Sequence, residues 1–276
     1  MDFVIINKKK YNIKKSSNDD NFVSFSKNKI GKILYLSDNR KNNKTLDTEG
    51  YSENPYREIE IHKRCNKLIK DKITTNLIKY YNYHVYKNNI ILIIEKYDGD
   101  LKTILEQLTM PELWSIFAQI FITYVLLQDK LGYYQGNFGL NNILYKKIKK
   151  TKKFFNYTYN GIKYKVPNEG YKIAIGGYTN AIIKTFKIAD YESAYYPLNL
   201  KKKIELYEIL LLLINCMTKI MISDKYKNKL QLLNNIIYDN VRYNLYNGHY
   251  IINFQCTETA NENLLLNKLY NDYTQL

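Results

Sequence analysis

The chain has few of the residues on which disulfide-rich and metal-centred proteins depend. Its 276 residues include 11 glycines, 4 prolines, 3 histidines and 3 cysteines. Cys65, Cys216 and Cys256 lie far apart in the sequence, which argues against a disulfide framework and against a cysteine-rich zinc site. The histidines are equally scattered and predict neither a metal site nor a catalytic pair. The first residues lack a basic start and a long apolar run, so we expect an intracellular rather than a secreted protein.

Apolar and basic residues, by contrast, are plentiful. Hydrophobic residues make up 45% of the chain and aromatic residues 14%, which is typical of a globular protein with a large core. The formal net charge of +16 would attract nucleic acid, anionic membranes or acidic proteins. The lysines are spread along the chain, without the aromatic interleaving of single-strand-binding proteins. The charge therefore leaves two interpretations open, a nucleic-acid-binding surface and an ordinary solvated surface.

One apolar segment, residues 204–222, is long enough to be considered as a membrane span. It contains four polar or charged residues: Glu205, Glu208, Asn215 and Lys219. Such side chains are costly in a bilayer. The sequence therefore favours a buried core helix, and we expect no contact with a membrane.

Short alternating segments near the N-terminus predict a β-sheet. Strands are predicted at residues 11–13, 22–25, 32–36, 78–86 and 90–94. One helix is expected between the third and fourth strands, because Pro55 suits a first helical turn and apolar residues recur behind it at helical spacing. Residues 1–95 are thus predicted to form a small part with a five-stranded sheet and one helix.

From residue 101 onward the pattern is mainly helical. The clearest helix spans residues 111–130 and is expected to end at Gly132. The chain from residue 198 also has a mostly helical pattern, whereas strand-like segments lie between, at residues 142–145, 157–166 and 171–175. We therefore predict an α+β fold in which residues 96–276 form a larger helical part with an inserted hairpin region at about 146–184.

Residues 134–145 are the most informative segment, with the sequence Tyr-Gln-Gly-Asn-Phe-Gly-Leu-Asn-Asn-Ile-Leu-Tyr. In a protein-kinase catalytic loop, an Asp accepts the proton of the substrate hydroxyl, and an Asn five residues later binds a metal ion just before a short apolar strand. Asn142 and the strand after it match this pattern. Asn137 stands where the Asp is required, and an amide has no basic lone pair near neutral pH.

Three further segments match protein kinases in the same order along the chain. Residues 56–61, with Glu58, look like the helix whose Glu pairs with the phosphate-binding Lys. Residues 91–101 look like the strand and hinge that contact the adenine ring. Residues 186–192, with Asp190, look like the strand that leads into the Asp-Phe-Gly motif. Together these matches make the chain resemble eukaryotic-like protein kinases, and more narrowly the divergent Ser/Thr kinase-like proteins of large DNA viruses.

The resemblance implies a bilobal fold, with a small β-rich N-lobe that carries one helix, a larger helical C-lobe, and a cleft between them for ATP and Mg²⁺. The residues that would lie against the nucleotide are Glu58, Ile94, Glu95 and Tyr97. The residues that would hold Mg²⁺ are Asn142 and Asp190. For a viral protein, the expected location is the host cytoplasm or the virion.

Two features of active kinases are missing from their expected places. The phosphate-binding glycine loop corresponds to residues 16–21, which contain no glycine and two acids. The alignment places Tyr35 or Leu36 at the position of the phosphate-binding Lys. Lys32 lies three or four residues too early, although strand alternation could turn it into the same cleft. Without that Lys, Glu58 is expected to be a solvated helix residue.

Three functions remain open on the sequence alone. The favoured one is a pseudokinase, a scaffold for a protein partner with weak or absent nucleotide binding, because Asn137 and the two missing features all impair phosphoryl transfer. The second is an atypical active Ser/Thr kinase that uses ATP, Asp190, Asn142 and a displaced Lys such as Lys32. The third is a basic nucleic-acid-binding or virion-packaged protein whose positive charge is its function.

Overall fold

The computed structural model describes residues 3–6, 9–15, 21–36, 54–136, 138–151, 153–184, 198–218, 224–240, 242–246, 249–253 and 274–275. Across these residues the fold is α+β. A β-rich sheet with one helix comes first, and helices with small sheets follow later in the chain. The chain passes from the first part to the second directly after residue 95.

The N-terminal sheet has six described strands: β1 (Phe3–Ile6), β2 (Lys9–Lys15), β3 (Asn21–Ser26), β4 (Lys29–Tyr35), β5 (Tyr80–Tyr86) and β6 (Asn89–Glu95). Their order across the sheet is β1-β2-β3-β4-β6-β5, and every neighbouring pair is antiparallel. The prediction of five strands is therefore wrong by one. The additional strand, β1, is a four-residue apolar segment that pairs with β2.

Helix α1 (Pro55–Lys70) covers one face of this sheet. Its start is set by Asn54, whose side-chain oxygen accepts the N–H of Tyr56 at 3.1 Å, and by the proline at its first position. Tyr56 and Ile59 pack against a cluster of buried sheet residues that includes Leu34 and Ile94. This packing brings the inner side of α1 over strands β4 and β6.

The second part begins with β7 (Gly99–Asp100) and a single helical turn, α2 (Leu101–Ile104), and contains three long helices: α3 (Met110–Leu131), α4 (Leu198–Met217) and α5 (Asp224–Asn240). Thr109 and Glu112 form a capping box at the start of α3, and Gly132 ends it in the left-handed conformation, as predicted. By length and composition α3 is the one described helix that could span a membrane, but 89% of its apolar window is buried inside the protein. It is therefore the central core helix.

Small sheets complete the described second part of the fold. They are built from β8 (Ile143–Lys147), β9 (Phe154–Tyr159), β10 (Ile162–Pro167), β11 (Tyr171–Ile175), β12 (Arg242–Tyr246), β13 (His249–Asn253) and β14 (Thr274–Gln275). One has the order β11-β8-β7, and a second has the order β14-β10-β9. Most of the described residues after residue 198 are helical, as expected, and the β12–β13 hairpin adds a strand pair to them.

A buried polar network joins α3 to these small sheets. The Asn76 amide, which is fully buried, donates to the side-chain oxygen of Gln119 at 2.8 Å and to the carbonyl oxygen of Ile173 at 2.9 Å. The Tyr157 hydroxyl donates to the Asn76 side-chain oxygen at 2.6 Å. Since each partner comes from a different element, this one side chain sets the position of β9 and β11 on α3.

Candidate functional site

A cavity of about 320 Å³ lies between the N-terminal sheet, α1 and the β7-β8-β11 sheet. Its apolar lining residues are Phe22, Ile30, Ile78, Ile94 and Leu144. Its polar lining includes Lys32, Glu58, Glu95, Asn142 and Thr179. This combination of apolar walls and a few convergent polar groups is typical of small-molecule sites, and the volume lies at the lower end of their range.

Lys32 and Glu58 form an ion pair inside the cleft. The Lys32 ammonium lies 3.1 Å from one carboxylate oxygen of Glu58 and 3.4 Å from the other. The two side chains are 12% and 3% exposed. Burial by itself raises the pKa of Glu58. The charge of Lys32 and the hydrogen bonds that Glu58 accepts outweigh this effect and bring the pKa below its ordinary value, so Glu58 is ionised at pH 7.

This pair overturns two of the sequence-based expectations. Glu58 is a buried, paired carboxylate and not a solvated helix residue. Its partner is Lys32 rather than a residue at the position of Tyr35 or Leu36. The reason is strand alternation: Lys32 shares the face of β4 that packs under α1 with Leu34 and Leu36, whereas Tyr35 points to the other side and is 63% exposed.

Thr179 completes this cluster and was not found by sequence reasoning. It belongs to the 3₁₀ turn Tyr178–Asn180, which follows β11. Its hydroxyl accepts a hydrogen bond from the Lys32 ammonium at 3.2 Å and donates one to Glu58 at 3.0 Å. Lys32 is therefore connected to α1 and to the base of the cleft at the same time.

An aromatic column connects α1 with the loop that follows α3. His62, one helical turn after Glu58, packs edge-on against Tyr178 with ring centroids 4.7 Å apart, and Tyr178 packs edge-on against Tyr133 at 6.1 Å. Burial lowers the pKa of His62 to about 4, so its imidazole is neutral at pH 7. This packing keeps the helix that carries Glu58 close to the cleft.

The loop at residues 133–136 is anchored by a buried carboxyl group. Glu205 of α4 is 1% exposed and accepts hydrogen bonds from the backbone N–H groups of Gln135, at 2.8 Å, and Gly136, at 2.9 Å. Burial raises the pKa of Glu205 to about 8, although the two donors act in the opposite direction. Asn137, the expected replacement of the catalytic Asp, follows this loop but lies outside the described residues.

Asn142 lines the cleft at the end of the 3₁₀ turn Leu140–Asn142. Its carbonyl oxygen accepts the N–H of Gly176 at 2.8 Å. Its side chain lies on Gly177 so closely that a Cβ atom there would be 2.2 Å from Asn142 Oδ1. Gly177 also has a φ of +70°, and both facts require glycine at this position. A metal-binding role for Asn142 stays a prediction.

Strand β8, which follows Asn142, has a neighbouring strand on each side. β8 pairs with β11 on one side, in a register from Tyr171 opposite Lys147 to Ile175 opposite Ile143, and with β7 on the other. Both edges of β8 are thus occupied by described strands, and residues 186–188, which resemble the strand before the Asp-Phe-Gly motif, lie outside the described residues. β11 leads into Gly176 and Gly177 at the cleft. Asp190 lies outside the described residues.

The expected hinge passes along the rim of the cleft. Ile94 contributes to the apolar wall and is 5% exposed. Glu95 forms an ion pair with Lys146 of β8 and accepts a hydrogen bond from the Tyr97 hydroxyl at 3.2 Å. The Lys146 ammonium also lies 5.0 Å from the centroid of the Tyr97 ring, within cation–π distance. Burial raises the pKa of Tyr97, so its hydroxyl keeps its proton.

Chemically, the cleft offers an apolar slot with a cation at its inner end. In the part of the chain that the structure describes, no group of three or more His, Cys, Asp or Glu side chains is arranged to hold a metal ion. Thr179, Gly177 and Glu205 were missed because their neighbours come from distant segments. A sequence signal existed only for Gly177, since a predicted strand at residues 171–175 ends directly in two glycines.

Comparison with known proteins adds no assignment. No protein-family model matches the sequence, and no curated protein matches it. The function is therefore argued from the geometry of the cleft.

Proposed function

We propose that the chain is a pseudokinase, a bilobal protein-kinase-like scaffold that binds an adenine nucleotide in the cleft, transfers phosphate inefficiently and acts through a protein partner. The observation that carries this proposal is the buried ion pair between Lys32 and Glu58. Protein kinases use a strand Lys paired with a helix Glu to hold the nucleotide phosphates. In this chain the pair joins β4 to the helix packed on the same sheet, at the inner end of an apolar slot.

The residues that line the cleft suit a purine ring in one defined orientation. Ile30, Ile94 and Leu144 offer apolar surfaces for a flat ring. The backbone of residues 95–97 borders the slot, and within the described residues the Tyr97 N–H donates no hydrogen bond, so it is available to an acceptor on the ring edge. In this orientation the phosphates extend toward Lys32.

The proposal of inefficient phosphoryl transfer rests on two residues. Asn137 replaces the general base, a group that contributes roughly 10²- to 10⁴-fold to such reactions. Gly177 lies in the same cleft directly after β11, and the close approach of Asn142 leaves no room for a side chain there, so position 177 offers no metal ligand. A phosphate donor bound in this cleft would therefore lack a general base and would find no ligand for its metal ion at position 177.

Nucleotide binding is tested by thermal shift and calorimetric titration with ATP. At about 100 times the dissociation constant, ATP is expected to stabilise the protein by about 2.7 kcal/mol. Leu144→Trp places an indole in the slot and is expected to abolish the shift. Val85→Trp, at an exposed position on β5, is the matched control and is expected to keep it. Binding that is equal in the two variants would refute the proposed site.

An atypical active Ser/Thr kinase is the second candidate, and one observation favours it. The Lys32–Glu58 pair is already formed, as active kinases require. This candidate predicts transfer from labelled ATP that is lost in Asp190→Ala and kept in Asp71→Ala, a matched change at an exposed acid after α1. Absence of transfer in the unmodified protein, with ATP bound and Mg²⁺ present, would remove this candidate.

A further inference from the structure

The positive charge of the chain is concentrated in the inserted hairpin region. Residues 146–172 contain nine lysines and one glutamate, a net charge of +8, which is half of the formal charge of the whole protein. These residues include strands β9 and β10, which pair through six residues each. The charge density of this segment is therefore far above that of the rest of the surface.

The hairpin has a buried face and an outer face. Tyr157, Tyr164 and Val166 are buried against α3 and its neighbours. Alternation places the intervening residues on the outer face: Phe154, Asn156, Thr158, Lys163 and Lys165. Phe154 is 48% exposed, and the Lys165 ammonium lies 5.9 Å from the centroid of its ring. The outer face thus combines an exposed aromatic ring with cations.

A groove beside Phe154 extends this surface. Lys150 and Lys153 line it, together with Asn168. The Asn168 amide donates to the carbonyl oxygen of Lys149 at 3.0 Å and to the Thr151 hydroxyl at 3.2 Å, which holds the lysine-rich loop against the end of β10. Glu169 pairs with Lys150, whereas Lys153 lines the groove together with the Phe154 ring and Lys165 lies within 5.9 Å of the centroid of that ring.

We propose that this outer face of the β9–β10 hairpin binds single-stranded nucleic acid. An exposed ring stacks on a base, and the lysines around it neutralise the adjacent phosphates; this is how single-strand-binding surfaces combine sequence-tolerant affinity with salt dependence. An acidic peptide would use the lysines but would gain little from Phe154. The site is separate from the cleft, because none of the residues at the cleft belongs to β9 or β10.

The test is fluorescence anisotropy of a labelled oligothymidylate with the full chain over a range of salt concentrations. Phe154→Ala is expected to weaken binding about five-fold to over a hundred-fold, the loss measured for one base–aromatic stack. The double variant Lys153→Gln/Lys165→Gln is expected to reduce the slope of log K against log salt by about 1.4, since each phosphate contact contributes about 0.7.

Matched controls separate this surface from general charge and folding effects. Tyr35→Ala removes an aromatic ring on β4 that is even more exposed than Phe154, and Lys63→Gln/Lys67→Gln removes two exposed lysines from α1. Both are expected to bind as the unmodified protein does, and unchanged melting temperatures verify that all variants are folded. Equal losses in test and control variants would overturn the proposal. Binding to phosphatidylserine vesicles without binding to the oligonucleotide would also overturn it.

Discussion

Replacing Lys32 by methionine tests the central feature of the cleft. The substitution leaves the Glu58 carboxylate, 3% exposed, without its cationic partner. Breaking a buried ion pair costs about 3–5 kcal/mol, because the remaining charge is desolvated and uncompensated. The Thr179 hydroxyl still donates to Glu58 at 3.0 Å, so we expect a loss at the lower end of this range, about 3 kcal/mol, at pH 7.

The loss is expected to depend on pH with a definite sign. In the unmodified protein the pKa of Glu58 is lowered, so its contribution to stability is present above its unfolded pKa and is lost as the pH falls through the folded pKa. In Lys32→Met, burial is no longer offset by the ammonium, and the pKa of Glu58 rises above its unfolded value. Stability of the variant therefore falls as the pH rises, and the difference between the two proteins is smallest in acid.

Urea unfolding, followed by fluorescence between pH 4 and pH 8, measures this difference. Trp114 is the single tryptophan, it is 2% exposed, and it lies in the core on α3, so it reports on global unfolding. The double variant Lys32→Met/Glu58→Leu is the control and is expected to recover most of the stability, because replacing both charges leaves no unpaired group. A loss below about 1 kcal/mol that does not change with pH would refute the assignment of a buried pair.

Three further outcomes follow from the core and the loop anchor. Because the pKa of Glu205 is raised to about 8, its contribution to stability is present below pH 4.5 and is lost as the pH rises through 8. Glu205→Gln is expected to remove this pH dependence, which is measured as the melting temperature between pH 5 and pH 9. Asn76→Ala leaves the buried Tyr157 hydroxyl without its acceptor and removes the amide donor from the Gln119 side-chain oxygen and the Ile173 carbonyl oxygen, and a loss of about 3 kcal/mol is expected in urea unfolding. Gly31→Ala puts a Cβ atom 2.5 Å from the Phe25 ring and 2.9 Å from Ile91, and a loss of about 1–3 kcal/mol is expected in the same assay. If the melting temperature of Glu205→Gln depended on pH as that of the unmodified protein does, the burial of this carboxyl group would be contradicted. A loss of stability below about 1 kcal/mol in Asn76→Ala or in Gly31→Ala would contradict the corresponding packing argument.

Much of the secondary structure could be predicted from the sequence because it depends on local periodicity. Helix α3 begins and ends within one residue of its predicted bounds, since the capping box and Gly132 are themselves local signals. The strand at residues 171–175 was predicted with its observed limits. The β12–β13 hairpin was missed although the sequence carries a signal for it, because Asn247-Gly248, a strong turn pair, lies between its two short segments.

The cleft could be predicted only in part. The pattern around Glu58 and Asn142 indicated both residues correctly as cleft residues, and Ile94, Glu95 and Tyr97 line it as well. The error at Lys32 came from counting positions along a motif instead of following the alternation of side chains on β4. The pairing of β8 with β11 could not be predicted from the sequence, because strand pairing is a non-local choice.

The sequence by itself determined the α+β class and the helices and strands that periodicity encodes. The tertiary structure decided which distant groups meet. It joined Lys32, Glu58 and Thr179, which are separated by 26 and 121 residues, into one buried cluster, and it placed Gly177 beside Asn142. Side-chain period is a property of a local segment, but strand pairing and ion pairing depend on how the whole chain packs, and so only the folded structure reveals them.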